Sequence, residues 1–352
     1  MTARPADQRT TQADKPLLAV LRGERCNPPP MWMMRQAGRY LPEYRALREK
    51  KGSFLGLVYD ADTAADVTLQ PLKRFPKLDA AILFSDILIV PFAIGQNLTF
   101  VTGEGPRLTP PLIGAGLDDL TSYLARLEPV YDTVRKVKAS LEPDKALIGF
   151  AGSPWTVATY MVAGQGSREQ SEARRLAYAD ANKFGEIIAR IEAVTLDYLD
   201  GQVEAGAEAL QLFDSWAGSL SPAQFEQWVI APTARLVAAL KSRHPEVPII
   251  GFPKGAGGKL AAYARETGVS AIGLDETVDP VWAANELPKD LAVQGNLDPL
   301  VLISGGEALD IAAKRILDAL AGRPHIFNLG HGILPDTPIA HVEQLIALVK
   351  GA

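Results

Sequence analysis

Cysteine is nearly absent from this sequence: the chain of 352 residues holds one thiol, Cys26, and only four histidines. One thiol cannot form an internal disulfide, and it cannot supply the thiolate cluster that holds zinc or an iron–sulfur centre. Cys26 also stands among prolines rather than in an electropositive setting, so it is a poor candidate nucleophile. We therefore expect no metal centre, and the low thiol content suits a reducing cytoplasm.

Long apolar runs and blocks of like charge are lacking as well. The charged fraction is 22%, both signs are interspersed, and the formal net charge is −5, which argues against nucleic acid as a partner. No apolar run approaches the roughly 20 residues that span a bilayer, because Asp86 and Pro91 interrupt the longest candidates. Residues 1–16 are polar and lack the apolar core of a signal peptide, so we interpret them as a disordered tail. The composition predicts a soluble protein with no membrane partner.

The common nucleotide-binding motifs are missing too. The glycine-rich stretch at 255–260 has Leu260 where a dinucleotide fingerprint requires its third glycine. For a P-loop, Pro253 stands where glycine is required and Leu260 stands where serine or threonine is required. The sequence therefore gives no indication of nucleotide-dependent chemistry.

Eight short apolar runs alternate with longer amphipathic stretches, the clearest of which extends from 181 to about 205. This alternation favours an α/β protein with a single (β/α)8 TIM-type barrel over residues 17–352, rather than an open doubly wound sheet. Long insertions are expected after the first strand, at 35–77, and after the second, at 87–144, where alternation at 94–103 indicates a β-hairpin. The predicted strands are 32–34, 78–84, 146–150, 209–213, 248–252, 270–274, 291–295 and 325–330.

Polar residues directly follow most of these strands. The carboxyl ends of the strands meet at one mouth of a barrel, and barrel enzymes build their active sites there. The sequence therefore predicts a polar site at this mouth. The polar residues that follow the strands are Arg35, Arg39, Ser85, Asp86, Ser153, Asp214, Ser215, Lys254, Asn296 and His331.

Arg35 and Arg39 stand four residues apart around Gly38. Two guanidinium groups at this spacing can point the same way, and each can bind a carboxylate or phosphate through two hydrogen bonds. The alternative is a surface pair that nearby glutamates neutralise. Because the pair directly follows a predicted buried strand, we favour the first interpretation and expect an anionic substrate.

Asp86 and His331 each have a structural and a functional interpretation. Asp86 ends a buried apolar run, where a carboxylate must be hydrogen-bonded, paired or catalytic, and it could equally cap the next helix. His331 lies between two glycines, which allow a ligand to approach closely, although lone histidines are more often structural. Both residues remain candidates for the site.

Seven motifs together resemble the uroporphyrinogen decarboxylase family. They occur in the family's order, and the resemblance covers essentially residues 17–350. Motifs of this length in this order are highly specific. The motifs are MRQAGRYLPEYR (34–45), FSDI (84–87), GSPWTVATYM (152–161), FDSWAG (213–218), GFPKGAG (251–257), QGNLDP (294–299) and NLGHGILPDTP (328–338).

The resemblance implies a homodimer of single-domain barrels that converts uroporphyrinogen III to coproporphyrinogen III in haem biosynthesis. The enzyme would remove the carboxyl groups of four acetate side chains without a metal or an organic cofactor. Asp86 would accept hydrogen bonds from the pyrrole N–H groups and stabilise the cation that forms during decarboxylation, and Arg35 would be the second catalytic residue. The proton donor stays open between Arg35 and a water molecule or other donor relayed by it. The implied substrate-binding residues are Arg35, Gln36, Ala37, Gly38, Arg39, Asp86, Tyr160, Ser215 and His331.

Two other functions compete with this interpretation. A methyltransferase of the same superfamily would use zinc and a corrinoid, but the single cysteine stands upstream of the first predicted strand. A non-catalytic tetrapyrrole-binding barrel would keep the arginines and turn nothing over. Asp86 beside those arginines argues against this second alternative.

Overall fold

The computed structural model describes residues 15–101, 105–112, 123–167 and 169–351. Its central feature is a curled sheet of seven parallel strands, in the order β1-β4-β5-β6-β7-β8-β9, while β2 and β3 form a separate antiparallel pair. The strands are β1 (Ala80–Ile82), β2 (Asn97–Val101), β3 (Gly105–Thr109), β4 (Ala146–Gly152), β5 (Ala209–Asp214), β6 (Ile249–Pro253), β7 (Ala271–Gly273), β8 (Ala292–Gln294) and β9 (His325–Ile326).

Helices connect the strands and pack against the sheet. Within the described ranges, the continuous helix from 222 to 243 contains a π-helical segment at Glu226–Ile230 between α10 and α11. The α-helices are α1 (Pro16–Leu21), α2 (Pro42–Lys51), α3 (Phe54–Val58), α4 (Ala61–Arg74), α5 (Ile89–Ala93), α6 (Tyr123–Ser140), α7 (Pro154–Ala163), α8 (Ser171–Ala179), α9 (Ala181–Glu204), α10 (Pro222–Phe225), α11 (Ala231–Arg243), α12 (Leu260–Glu266), α13 (Pro280–Glu286), α14 (Pro299–Ser304), α15 (Gly306–Leu320) and α16 (Ile339–Lys350).

The amphipathic pattern at 181–205 forms α9, as the spacing of its apolar residues predicts. Asp180 caps the helix, since its side chain accepts a hydrogen bond from the backbone N–H of Lys183 (2.9 Å). Phe184 and Ile191 are fully buried, two helical turns apart on the face that contacts the sheet and the neighbouring helices. Burial of this face fixes the helix against β4.

The seven strands coincide with the second to eighth predicted strands, although most are shorter than predicted. β4 is buried along its whole length, and β5 is buried at every position except Phe213. Apolar strands of this kind are typical of parallel sheets that are covered on both faces. The predicted alternation at 94–103 supplies β2, whose antiparallel partner β3 lies beyond the predicted segment.

A chain of hydrogen bonds crosses the concave side of the sheet. The indole Nε1 of Trp32 donates to Gln294 Oε1 (2.9 Å), and Gln294 Nε2 donates to Gln211 Oε1 (3.2 Å). All three side chains are fully buried. Gln211 lies on β5 and Gln294 on β8, with two strands between them in the sheet order. A direct bond between them therefore requires the sheet to curl around its interior.

The strand predicted at 32–34 is wrong, because these residues form no strand in the structure. The residue before them, Met31, forms a single parallel bridge with Phe327, directly after β9. Further along, the backbone N–H of Met34 donates to Asn328 Oδ1 (2.9 Å). A side chain thus takes the donor that a continuing strand would offer to its neighbour.

The segment around Met31 nevertheless hydrogen-bonds to both edges of the sheet. On one side, the N–H of Phe327 donates to the Pro30 carbonyl (2.8 Å). On the other side, the N–H of Asp79 donates to the Met31 carbonyl (2.9 Å), and Asp79 Oδ2 accepts from the Met31 N–H (2.6 Å). The Lys350 ammonium lies 2.9 Å from the same Asp79 oxygen. The two edge strands are therefore linked through Met31.

Residues 1–14 of the predicted tail lie outside the described residues. Lys15 already belongs to the folded part, because its ammonium pairs with Glu208 (2.7 Å) and Pro16 begins α1. Within the described residues, no helix is both long enough and apolar enough to cross a membrane.

Candidate active site

The loop that carries Arg35 is fixed to the sheet by its neighbours. The fully buried Gln36 side chain accepts from the Met33 N–H (3.0 Å) and donates to the Ala80 carbonyl of β1 (2.9 Å). Arg35 itself has φ +59°, a left-handed conformation that costs a non-glycine residue roughly 1 kcal/mol. The loop therefore holds an exposed guanidinium in a strained and well-supported position.

Gly332 allows the Arg35 side chain to lie against the segment after β9. A Cβ atom at Gly332 would lie 2.4 Å from Arg35 Cδ, a distance that no side chain could accommodate without movement. The backbone N–H of Ile333 donates to the Met34 carbonyl (2.9 Å), which fastens the two segments together. Arg35 and His331 consequently belong to one cluster. Their positions after two of the predicted strands led to this expectation.

Asp86 follows β1 in a turn that two helices support. The Thr68 hydroxyl of α4 accepts from the Phe84 N–H (3.0 Å), and the Tyr198 hydroxyl of α9 is 3.1 Å from Ser85 Oγ. Asp86 Oδ1 accepts a hydrogen bond from the backbone N–H of Leu88 (2.8 Å). The structural and functional interpretations are thus compatible, since one oxygen serves the turn and the carboxylate is still within electrostatic reach of Arg35.

The surroundings of Asp86 disfavour its charged form. Part of the residue is accessible to solvent. Burial nevertheless raises the pKa of Asp86 to about 6, against the opposing effects of the Leu88 N–H and the Arg35 charge. At neutral pH the group is therefore mainly a carboxylate, and it is more basic than an exposed aspartate.

His331 is uncharged at neutral pH. Burial first, and then the positive charges of Lys254 and Arg35, lower the pKa of His331 to about 4. A neutral imidazole can donate one hydrogen bond and accept one. The imidazole thus lies within electrostatic reach of two cations without adding a third positive charge.

Tyr160 and Trp216 form a wall beside this cluster. Their ring centroids are 6.3 Å apart, and Tyr160 on α7 interacts electrostatically with both Asp86 and Arg35. Burial raises the pKa of the Tyr160 hydroxyl, which therefore stays protonated as a donor. Ser215 precedes Trp216 in the turn after β5 and is half-buried.

Three phenylalanines of adjacent strands lie on the concave face towards the carboxyl ends of the strands. The Phe150 and Phe213 rings are 5.5 Å apart, and the Phe213 and Phe252 rings are 6.0 Å apart, both edge to face. Phe213 lies two residues after Gln211 and thus on the same face of β5, and it pairs in register with Phe252. The mouth therefore has an apolar aromatic floor beneath its charged rim.

Three of the predicted site residues, Asp86, Tyr160 and His331, lie within electrostatic reach of a fourth, Arg35, and Asp86 also acts on Tyr160. Arg39 lies further along the loop and is exposed, and its charge acts on Tyr44.

Three predicted substrate-binding residues of this loop can offer a ligand mainly their main-chain atoms. Gln36 uses its side chain within the fold, so only its main chain remains. Ala37 and Gly38 are half-buried, and a Cβ at Gly38 would be 2.9 Å from the Arg35 carbonyl, which explains why the turn requires glycine there. Their contribution is the backbone that shapes the loop.

Asp214 is one of the polar residues that follow the predicted strands, but it is not among the substrate-binding or catalytic residues selected from the sequence. It is the last residue of β5, it is 1% exposed, and burial raises its pKa to about 7. A signal was present, because Asp214 ends the apolar run ALQLFD just as Asp86 ends AAILFSD. A carboxylate at the end of an apolar run is therefore the sequence signal that Asp86 and Asp214 share.

Among the described residues, no group of three or more histidine, cysteine, aspartate or glutamate side chains is placed to hold a metal ion.

Comparisons with known proteins agree with the resemblance of the motifs. The family model described as "Uroporphyrinogen decarboxylase (URO-D)" matches residues 12–352. A uroporphyrinogen decarboxylase from Rhizorhabdus wittichii is 67% identical over 351 residues, which cover 100% of both chains. Another from Sphingopyxis alaskensis is 66% identical over 337 residues, which cover 96% of this chain and 98% of that one. The chain belongs to the uroporphyrinogen decarboxylase family.

Membership of the uroporphyrinogen decarboxylase family makes the protein a carboxy-lyase of tetrapyrrole biosynthesis. Among solved structures, a methyltransferase from Methanosarcina mazei has a TM-score of 0.78 and covers 95% of this chain and 97% of its own, at 19% identity. At that identity the likeness concerns the fold alone. The methyltransferase alternative therefore draws on a shared architecture, whereas the decarboxylase assignment draws on full-length sequence identity.

Proposed function

We propose that the chain converts uroporphyrinogen III to coproporphyrinogen III by decarboxylating four acetate side chains at the mouth formed by Arg35, Asp86, Tyr160 and His331. The observation that carries this proposal is that Asp86, a carboxylate with a raised pKa, lies within electrostatic reach of Arg35, which precedes it by 51 positions in the chain. Such a site provides a carboxylate that stabilises a developing cation and a guanidinium that binds a substrate anion.

Asp86 stabilises the intermediate. Loss of carbon dioxide from an acetate arm requires an electron sink, which a pyrrole supplies once one of its ring carbons is protonated. The resulting cation is stabilised by a fixed negative charge in a poorly solvated place. The Asp86 carboxylate meets this need, and its free oxygen can accept pyrrole N–H groups, because Oδ1 is partly engaged by Leu88.

Arg35 and Arg39 bind the carboxylates of the substrate. Their planar guanidinium groups suit two-point binding of carboxylates, and both are exposed at the rim. A guanidinium with a pKa above about 12 is a reluctant proton donor, and neutral His331 has little tendency to deliver a proton as an imidazolium. A water molecule that Arg35 orients is therefore our preferred source of the ring proton.

The aromatic floor of Phe150, Phe213 and Phe252 accommodates the apolar body of the macrocycle. A tetrapyrrole carries its charge at the ends of its side chains and presents pyrrole faces at its centre. Edge-to-face phenylalanines offer an apolar surface of comparable character. The charged rim and the apolar floor thus match the two parts of the substrate.

We further propose that residues 17–352 form one closed (β/α)8 barrel in which the segment around Met31 takes the place of the missing strand, with insertions at 35–77 and 87–144. Hydrogen bonds from this segment to Phe327 and Asp79 support closure, and so does the bond between β5 and β8. A cytoplasmic homodimer that requires no cofactor remains part of the proposal.

The test is an anaerobic assay that follows uroporphyrinogen III and its products by chromatography. Arg35→Lys and Arg39→Lys should each lower kcat/KM by roughly tenfold, since an ammonium cannot form the two-point contact. Arg265→Lys, on the exposed side of α12, is the matched control and should leave kcat/KM unchanged.

Two outcomes would contradict the proposal. Full activity of both site variants would reduce the arginines to general electrostatics. Activity that disappears on exhaustive chelation and returns with zinc would favour the methyltransferase alternative.

A further inference from the structure

A buried hydrogen-bond relay connects the end of β5 to the wall of the active site. The Thr156 hydroxyl of α7 donates to Asp214 Oδ1 (2.5 Å) and accepts from the backbone N–H of Trp216 (3.1 Å). A hydroxyl has one proton, so donation to Asp214 leaves its lone pairs for Trp216. Thr156 is 0% exposed and Asp214 is 1% exposed, which keeps water from replacing either bond. The direction of the relay is therefore fixed.

The relay is one of three side-chain hydrogen bonds that hold the main chain of Trp216. The Trp216 carbonyl accepts from Trp155 Nε1 (3.1 Å) and from Ser219 Oγ (2.8 Å). Those two bonds fix one side of the residue, and Thr156 fixes the other. The indole ring is thereby directed towards Tyr160, whose ring lies 6.3 Å away.

Tyr160 connects this wall to the reacting centre. It interacts electrostatically with Asp86 and with Arg35, whereas the side chains of Thr156 and Asp214 hydrogen-bond to each other and to the Trp216 backbone. A shift of the Trp216 backbone would therefore change the site through Tyr160. Asp214 directly follows Phe213 on β5, so its side chain points to the opposite face of the sheet, where it contacts Thr156 of α7.

We propose that Asp214 and Thr156 are positioning residues that set the place of Ser215, Trp216 and Tyr160 around the substrate. This inference rests on the proposed assignment of Arg35, Asp86 and Tyr160 as the active site. Asp214 supplies the acceptor that orients the Thr156 hydroxyl, and the hydroxyl in turn holds the turn after β5.

The second carboxyl oxygen of Asp214 favours a role in positioning over an ion pair. Asp214 Oδ2 has no hydrogen-bond partner among the described residues. The charge of Asp214 acts on the Tyr263 hydroxyl of α12, and the Lys254 backbone N–H donates to the main-chain carbonyl of Asp214 (3.1 Å) rather than to its carboxylate. Because burial raises the pKa of Asp214 to about 7, much of the group is a neutral acid at neutral pH, which still offers Oδ1 as an acceptor.

The experiment compares two buried threonines of α7. Thr156→Val removes the relay, and we expect kcat/KM to fall about tenfold, mainly in kcat, because the carboxylate anchors Arg35 and Arg39 lie on another loop. Thr156→Ser keeps the hydroxyl and should restore most of the lost activity. Thr159→Val is the matched control, because Thr159 is 4% exposed and its hydroxyl donates within its own helix, to the Thr156 carbonyl (2.7 Å). Unfolding by urea is measured for all three.

The outcomes separate this inference from the proposed function. Equal losses of stability in Thr156→Val and Thr159→Val with unchanged kcat/KM in both would overturn the positioning role. If Thr156→Val does not fold, Trp216→Leu keeps the backbone N–H and should still lose about tenfold in kcat/KM; unchanged kcat/KM there would also overturn it. Full turnover by an Asp86→Asn variant measured in parallel would instead remove the proposed site itself.

Discussion

Two aspartates near the opposite ends of β1 have contrasting surroundings. At the amino end, Asp79 accepts from the Met31 N–H (2.6 Å) and pairs with Lys350 (2.9 Å), so both oxygens have strong partners. At the carboxyl end, one oxygen of Asp86 accepts a hydrogen bond from the Leu88 backbone N–H, and burial raises the pKa of Asp86. Seven positions along the chain, the surroundings thus change from those of Asp79, whose negative charge is balanced by strong partners, to those of Asp86, whose negative charge is undercompensated. The difference agrees with the rule that the carboxyl face of such a fold serves chemistry and the amino face serves stability.

The largest effect should come from Asp86→Asn, which removes the charge at the undercompensated end. We expect kcat to fall roughly 100- to 1,000-fold, because a neutral amide cannot stabilise the developing pyrrole cation. Stability should be retained or slightly increased, since a poorly solvated charge disappears. Steady-state turnover and urea unfolding measure the two quantities, and near-normal turnover would remove Asp86 from the mechanism.

Asp79→Asn should show the opposite profile. Removal of one partner from a mostly buried ion pair should lower the free energy of unfolding by about 3 kcal/mol, while kcat of the folded enzyme stays the same. Asp66→Asn is the matched control, because Asp66 pairs with Lys73 on the exposed surface and should change stability by less than about 0.5 kcal/mol. A loss of kcat in folded Asp79→Asn would mean that the two ends of β1 are not functionally separate.

The dependence of activity on pH sharpens the same contrast. Turnover requires the Asp86 carboxylate, so it should fall as the pH drops through about 6, by about tenfold between pH 7 and pH 5. The sign of the stability effect is opposite: the folded-state pKa is above the ordinary value, so protonation of Asp86 favours the folded state. Acid loss of activity from this group should therefore precede any unfolding, as parallel fluorescence and turnover measurements can show. Unfolding that coincides with the activity loss would contradict this account.

The sequence predicts much of the helical and strand layout because local patterns carry it. The amphipathic run predicts α9 to within one residue, and seven apolar runs coincide with the seven parallel strands. The segment at 32–34 departs from its pattern because Met34 donates to a side chain 294 positions away, and no local pattern contains that information. Tertiary hydrogen bonds decide whether such a segment forms a strand.

The site follows the same division. Arg35, Asp86 and His331 can be selected from the sequence because each follows a predicted strand, and the carboxyl ends of parallel strands converge. Asp214 stands at a strand end as well, yet its importance depends on Thr156, 58 positions away. The raised pKa values of Asp86 and Asp214 likewise arise from three-dimensional burial, which a sequence pattern does not quantify.

The hydrogen-bonded chain of Trp32, Gln294 and Gln211 has a consequence for recombination and engineering. Exchange of any one member for an apolar residue would leave a buried polar neighbour unsatisfied, which typically costs about 1–3 kcal/mol, whereas exchange of all three together could be nearly neutral. Trp32 comes from the first tenth of the chain, and the two glutamines come from its second half. A chimaera that takes these two parts from different parents would keep these hydrogen bonds only if all three residues were transferred together.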